Sequence, residues 1–163
     1  MPTTFVKGDI FQDPGQGGGR HAFAFATGTN GALDAGIGVA FGKKFPALAP
    51  ALRARAGESG ELPMGEVIVH DEANTAVFAL ALLRKQKPAR ISNVTQALEA
   101  LVARASEAGI TRIALPRIGG GKTDLDWTRV KRVLGEVGDK TTIELVVYQQ
   151  FVRGGAAAEA DEG

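Results

Sequence analysis

The sequence predicts an α/β fold in which helices cover both faces of a sheet. Short apolar runs of strand character alternate with runs of helical period along the 163 residues. In its last half the chain runs strand, loop, helix and strand, and two glycine-rich segments lie between a predicted strand and the helix that follows it. Alternation of this kind is typical of a sheet between two helical layers, with ligands bound at loops beyond the strand ends.

The first half of the chain contains two strands and two helices. A glycine cluster at 14–19 separates the strands and is not expected to hold regular structure. The predicted elements are strands at 5–6 and 22–26, a helix from near Gly36 to before Pro46, and a helix at 48–56.

The second half contains a strand pair followed by a strand, loop, helix and strand. The pair is expected to form a hairpin around 71–74. The predicted elements are strands at 67–69 and 76–80, a helix capped by Ser92 or Asn93 and ended at Gly109, a strand at 113–115, a loop at 116–124, a helix at 127–137 and a strand at 143–148.

Length and composition indicate one domain with one site. Residues 1–153 have enough apolar content for a single core, whereas 154–163 are predicted to be a disordered acidic tail. Without that tail, 19 basic residues stand against 15 acidic ones, a mild excess that suits a small anionic ligand. The basic residues are scattered, unlike those of most nucleic-acid-binding domains.

The composition also indicates the cellular compartment and whether a zinc site is expected. No apolar run is long enough to cross a bilayer, and no cysteine is present, so a bacterial-type cytoplasm is the expected location. His21 and His70 are the two histidines, which makes a dedicated zinc site improbable. No cofactor is expected, and no pattern in the sequence indicates an oligomeric state.

The two glycine-rich segments, 28–36 and 116–122, are candidate anion cradles. Glycine lets backbone N–H groups approach phosphate oxygens, and a following helix adds its N-terminal dipole. Two such loops suggest a diphosphate, although either could be a plain flexible turn. Neither matches the dinucleotide fingerprint, and 121–123 fails the P-loop motif because Pro116 occupies its first glycine position.

Three segments resemble the macrodomain family. Residues 6–10, VKGDI, are similar to its first-strand signature. Residues 31–46, GALDAGIGVAFGKKFP, resemble the phosphate loop and helix of the subclass that holds terminal ADP-ribose protein glycohydrolases and antitoxins that remove ADP-ribose from DNA. Residues 114–121, with 125–127 after them, are similar to the second phosphate loop and its helix. The similarity spans residues 5–148.

The resemblance implies a three-layer α/β/α macrodomain with a mixed central sheet and a cleft for ADP-ribose or an ADP-ribosylated macromolecule. Asp9 and Ile10 would contact adenine, while the two glycine loops would hold the phosphates. Tyr148 would lie against adenine, with Phe151 as a substitute, or would be an ordinary rim or core aromatic. The ligand-binding residues expected on this basis are Asp9, Ile10, Thr27, Asn30, Gly31, Ala32, Leu33, Gly36, Ile37, Pro116, Arg117, Ile118, Gly119, Gly120, Gly121, Lys122 and Tyr148.

The catalytic candidates are Asp34, Lys85 and Asp124. Members of the subclass that hydrolyse ADP-ribose linkages resemble one another in a lysine just after the second strand of the hairpin, and that position falls here on Leu83, Arg84 or Lys85. A desolvated Lys85 could attack the anomeric carbon, or this segment could be a solvated basic turn. Some members also resemble one another in an acid in the second phosphate loop, at a position that Thr123 occupies here. Asp124 lies one residue beyond it and could instead cap the following helix, as could Asp126. Asp34 could activate water or hold the distal ribose.

Three functions are compatible with these features. The leading interpretation is a hydrolase that releases ADP-ribose from a modified protein or DNA. The second is a reader that binds ADP-ribose without cleaving it. A module that binds RNA or another nucleotide ranks last, because it would require a clustered basic face.

Overall fold

A computed structural model describes residues 3–16, 19–33, 36–84, 89–118 and 125–152, together with the backbone of 158–159. The strands are β1 (Thr3–Gly8), β2 (His21–Gly28), β3 (Val67–Glu72), β4 (Thr75–Leu83), β5 (Arg112–Pro116), β6 (Glu144–Phe151) and β7 (Ala158–Glu159). The helices are α1 (Ile37–Lys44), α2 (Leu48–Ala56), α3 (Ile91–Glu107) and α4 (Trp127–Asp139), with short 3₁₀ helices at Ile10–Gln12 and Gly57–Ser59.

The strands of the described residues form one mixed sheet in the order β3-β4-β2-β5-β6-β1-β7. The five inner strands, β4, β2, β5, β6 and β1, are mutually parallel. The two outermost strands, β3 and β7, are antiparallel to their neighbours. The carboxyl ends of the five parallel strands therefore lie along one edge of the sheet.

Two apolar layers enclose the sheet. Residues of α3 and α4 pack on one face, around Leu98, Leu101 and Leu134. Residues of α1 and α2 pack on the other, where the ring of Phe41 stacks on Phe25 with centroids 4.4 Å apart. The predicted three-layer α/β/α architecture with a mixed sheet is confirmed.

Some local predictions differ from the structure. Helix α3 begins at Ile91 after Arg90, so neither Ser92 nor Asn93 is the N-cap residue. Asn93 acts from inside the first turn, where its Oδ1 accepts a hydrogen bond from the Arg90 N–H at 2.8 Å. The expected cap on α4 is confirmed for Asp126, which accepts from the Thr128 N–H at 3.0 Å.

Two residues of the predicted acidic tail pair with the sheet. The backbone of Ala158–Glu159 lies antiparallel to β1 beside Val6 and Lys7. The other residues of 154–163 lie outside the described part of the chain. Within the described part, no helix is long and apolar enough to cross a membrane.

Two glycines of α4 are expected to respond in opposite directions to alanine. A Cβ at Gly135 would meet nothing within 4 Å, whereas one at Gly138 would overlap Oγ1 of Thr3, which donates to the Leu134 carbonyl at 2.9 Å. Gly135→Ala should raise the free energy of unfolding by about 0.5–1 kcal/mol through helix propensity. Gly138→Ala should lower it by about 1–3 kcal/mol through overpacking. Urea unfolding of both variants measures this, and a Gly138→Ala variant at least as stable as the wild type would contradict the packing at Thr3.

Candidate functional site

The parallel strands bring the predicted site segments to one edge of the sheet. Across it, β4, β2, β5, β6 and β1 are consecutive neighbours. The first glycine loop follows β2, the second follows β5, and Asp9 follows β1. Because β2 and β5 are paired at Phe23 and Ala114, the exits of the two glycine loops are adjacent. Clefts of open α/β sheets form at such edges.

Backbone hydrogen bonds fix the start of the first glycine loop. The Thr29 N–H donates to the Leu83 carbonyl at 2.9 Å, and the Thr29 carbonyl accepts from the Leu62 N–H. Oδ1 of Asn30 accepts from the Ala32 N–H at 2.9 Å, which is an Asx turn. The loop therefore leaves β2 in a defined direction, tied to β4 and to the segment before β3.

The end of this loop packs onto α1. Leu33 lies against two glycines of that helix, since a Cβ would stand 3.5 Å from Leu33 atoms at both Gly38 and Gly42. Gly36 precedes the helix with φ 59° and ψ −139°, a conformation that is accessible essentially to glycine. Having no side chain, Gly36 cannot cap α1 itself. An external anion could take that role at the helix N-terminus.

Two core residues flank residues 119–124, which include the glycines of the second loop. Ile118 and Leu125 are buried against the α3 and α4 layer. Arg117, which follows β5 at the start of this loop, is exposed, and its guanidinium lies 5.0 Å from the centroid of the Trp127 ring. This cation–π contact holds a positive charge beside the loop.

The adenine end of the predicted cleft begins with the short helix after β1. Asp9 is its N-cap residue and accepts from the Phe11 N–H at 3.0 Å. Ile10 is buried, and the Phe11 ring packs edge-on against Phe41 of α1 with centroids 5.1 Å apart. Asp9 and Ile10 thus sit at the edge where β1 ends, next to the end of β6.

The two aromatic candidates at the end of β6 lie in different environments. Tyr148 is 5% exposed and belongs to the core layer of α1 and α2, where its hydroxyl donates to Oδ1 of Asp13 at 2.7 Å. Burial and that hydrogen bond raise the pKa of Tyr148, which keeps its proton. Phe151 is 65% exposed. These environments favour the core interpretation for Tyr148 and leave Phe151 as the accessible ring.

Asp13, which the sequence did not single out, is the centre of a buried polar cluster. Its carboxylate accepts from Nη2 and Nε of Arg112 at 2.7 and 3.1 Å, from the Tyr148 hydroxyl, and from the Gly15 N–H at 3.1 Å. Burial alone would raise the pKa of Asp13, but the donors outweigh it and the pKa lies below its usual range. Arg112 also donates to the half-exposed side chain of Glu144 at 2.7 Å.

Three other predicted ligand residues lie at the same edge. The Thr27 hydroxyl, near the end of β2, is buried and has no hydrogen-bond partner among the described residues. Pro116 ends β5 opposite Tyr148, and Ile37 opens α1 with partial exposure.

Several predicted site residues lie outside the described residues. They are the catalytic candidates Asp34, Lys85 and Asp124 and the loop residues Gly119, Gly120, Gly121 and Lys122. Of the neighbouring alternatives for the lysine position, Leu83 ends β4 and Arg84 lies 3.9 Å from Glu61 through its Nε. Over the described ranges, no group of three His, Asp or Glu side chains could hold a metal ion.

Known proteins match this chain over most of its length. A family model described as Macro domain matches residues 25–134. Over 145 residues the chain is 28% identical to ADP-ribose glycohydrolase OARD1 of Homo sapiens, covering 89% of this chain and 90% of the human protein. It is also 28% identical over 151 residues to the DNA ADP-ribosyl glycohydrolase of Thermus aquaticus, covering 89% of this chain but 40% of that protein.

A solved structure gives the same result for the fold. The macrodomain of Thermus aquaticus DarG superposes with a TM-score of 0.76 and 26% sequence identity, over 90% of this chain and 97% of that one. The architecture, the order of the loops and the matched family model agree with one another. The chain belongs to the Macro domain family.

Proposed function

We propose that this protein binds ADP-ribose along the carboxyl edge of its sheet and hydrolyses an ADP-ribosyl linkage on a modified macromolecule. The observation that carries the proposal is the order of the site segments. The glycine loops leave the adjacent strands β2 and β5, and Asp9 and Phe151 follow at the ends of β1 and β6. From β2 to β1 the edge spans three strand spacings, about 14 Å, which suits an extended diphosphate ligand with a base at one end.

Each part of this edge suits one part of the ligand. Backbone amides of the glycine loops and the N-terminus of α1 would bind the diphosphate. The carboxylate of Asp9 can accept a hydrogen bond from the adenine amino group. The exposed ring of Phe151 offers a stacking surface beside it. This division places the distal ribose near β2 and β4, at the opposite end from adenine.

Each of the three catalytic candidates comes, in the sequence, after a different strand, and those three strands are neighbours in the sheet. Asp34, Lys85 and Asp124 belong to the segments after β2, β4 and β5, which are consecutive in the sheet. In hydrolysis, water supplies a hydroxyl to the anomeric carbon, the bond from that carbon to the target breaks, and the leaving group takes the proton. An aspartate could act as the base for water, or Lys85 could attack first. We further propose that residues 1–153 form the functional domain and that the protein acts in the cytoplasm.

Two relatives support the hydrolytic reaction, since the names of both the human and the Thermus aquaticus proteins describe glycohydrolases. A reader that binds ADP-ribose without cleaving it would use the same cleft. Substrate tests must therefore include both modified protein and modified DNA.

The experiment is calorimetric titration with ADP-ribose, followed on the same protein by assays of ADP-ribose release from modified protein and modified DNA. Asp9→Ala is expected to weaken binding about tenfold, the equivalent of one hydrogen bond to a charged group. The matched control is Asp71→Ala. Asp71 is an exposed acid that lies at the opposite edge of the sheet and pairs with Arg20 at 3.4 Å.

Each outcome has a distinct meaning. Wild-type binding that Asp9→Ala weakens and Asp71→Ala does not, together with release, would establish the hydrolase. Release that is then lost in Asp34→Asn, Lys85→Ala or Asp124→Asn identifies the group that acts on the distal ribose. Binding without release on either substrate would indicate a reader of ADP-ribose, and undetectable wild-type binding would refute the proposal.

A further inference from the structure

One buried cluster joins the two sides of the predicted adenine pocket. The first side is the 3₁₀ helix Ile10–Gln12, which begins at Asp9 and ends at Asp13. The second side is β6, which carries Tyr148 and, three residues later, the exposed Phe151. The hydrogen bond between Tyr148 and Asp13 connects the two sides directly.

Asp13 is well suited to fix the helix that it terminates. Its N–H donates to the Ile10 carbonyl at 3.1 Å, which closes the helical turn, while the residue is 4% exposed and its carboxylate accepts four hydrogen bonds. A carboxylate held by a bidentate guanidinium and a phenol has little freedom to move. The end of the helix is therefore tied to β5 through Arg112 and to β6 through Tyr148.

A second attachment follows a few residues later. The Gln16 side chain donates to the Arg112 carbonyl at 2.5 Å and accepts from the N–H groups of Thr111 and Arg112 at 2.9 and 3.0 Å. On the other side of the helix, Phe11 packs against α1. The segment after Asp9 is thus held against α1 by apolar contact and against the sheet by polar bonds.

A bulge in β6 brings Phe151 onto the same face of the sheet. Val6 of β1 pairs with Tyr148, but the next residue, Lys7, pairs with Gln150, so Gln149 is an extra residue. The extra residue reverses the alternation of side chains. Phe151 then stands opposite Gly8, which has no side chain, on the face occupied by Tyr148 and the 3₁₀ helix.

We infer that Asp13, Arg112 and Tyr148 form a positioning network that sets the spacing between Asp9 and Phe151 and so governs selection of the adenine base. This inference rests on the proposed binding of ADP-ribose. None of the three residues needs to touch the ligand. Their role is to hold the hydrogen-bonding side of the pocket in register with its aromatic side.

The test uses Tyr148→Phe, which removes one oxygen and retains the ring. Calorimetry would compare ADP-ribose with its hypoxanthine analogue, inosine diphosphate ribose, in which a carbonyl oxygen replaces the 6-amino group and cannot donate to Asp9. The wild type is expected to prefer ADP-ribose about tenfold, since discrimination by a missing donor leaves a polar group unpaired. In Tyr148→Phe the preference should fall to about two- or threefold.

The control variant loses a buried hydroxyl elsewhere. Thr75→Val removes a group that donates to the Ala73 carbonyl at 3.1 Å, at the start of β4 on the opposite edge. It should lower stability but keep the wild-type preference between the two ligands. An unchanged preference in Tyr148→Phe, or no preference in the wild type, overturns the inference, whereas a wild type that binds neither ligand refutes the proposed function instead.

A second measurement needs no substitution. Tyr148 is the one tyrosine of the chain, so its ring signals in carbon-13 tyrosine-labelled protein are unambiguous. AMP should shift those signals, because adenine would contact the two sides of the pocket that Tyr148 connects. Ribose 5-phosphate, which lacks adenine, should not shift them. Signals that stay unmoved at saturating ADP-ribose would also overturn the inference.

Discussion

Replacement of Gly36 by alanine is expected to weaken ADP-ribose binding by about 100-fold. The φ of 59° and ψ of −139° at this position strain any residue with a Cβ by about 1–3 kcal/mol, so the backbone must rearrange where the first glycine loop enters α1. The amides that we propose bind the diphosphate would then lose their alignment. Loss of one or two charge-assisted hydrogen bonds, each about 1.5–3 kcal/mol, corresponds to that change in affinity. Calorimetry with ADP-ribose measures it.

The chain provides a matched control at Gly57. This glycine has φ 65° and ψ −151° at the end of α2, it is exposed like Gly36, and a Cβ at either position meets nothing within 4 Å. Gly57→Ala should therefore cost similar stability and leave ADP-ribose binding near the wild-type value. Equal losses of affinity in the two variants would show that Gly36 acts through general strain and not through the phosphate contacts proposed for the first glycine loop.

Arg112→Ala is expected to lower the free energy of unfolding by about 3–5 kcal/mol at neutral pH. Removal of one partner of a buried ion pair leaves the other charge without compensation. Asp13 would keep the donors on Tyr148 and Gly15 but lose the bidentate guanidinium. Chemical denaturation measures the loss. Glu144→Gln, which affects the half-exposed partner of the same arginine, should change stability by less than about 1 kcal/mol.

The pH dependence follows from the direction of the pKa of Asp13. Because the folded protein holds this pKa below its usual value, the stabilisation is present above about pH 4 and is lost as the pH falls through the folded pKa. In Arg112→Ala the carboxyl can be protonated more easily, so acidification penalises that variant less. The difference in free energy of unfolding between the wild type and Arg112→Ala should become smaller below pH 4. A difference that stays constant from pH 7 to pH 3 would count against the ion pair.

Elements with a strong local pattern were predicted closely from the sequence. Helix α2 occupies 48–56 as predicted, and α1 begins one residue after Gly36. Helical period, glycine at helix ends and proline beyond them are properties of neighbouring residues, so they can be read along the chain. The predicted cap of α3 is wrong because Asn93 can serve either before a helix or within its first turn, and sequence position alone does not separate the two.

The sequence alone determined the alternation of strands and helices, the two glycine loops and the family resemblance, because these depend on local composition and order. The tertiary structure decided which groups meet across long separations. Asp13 contacts Arg112 and Tyr148, which lie 99 and 135 residues away, and the register of β1 on β6 creates the bulge at Gln149. A buried carboxylate needs partners that the whole fold must supply, and no periodicity along the chain encodes their identity.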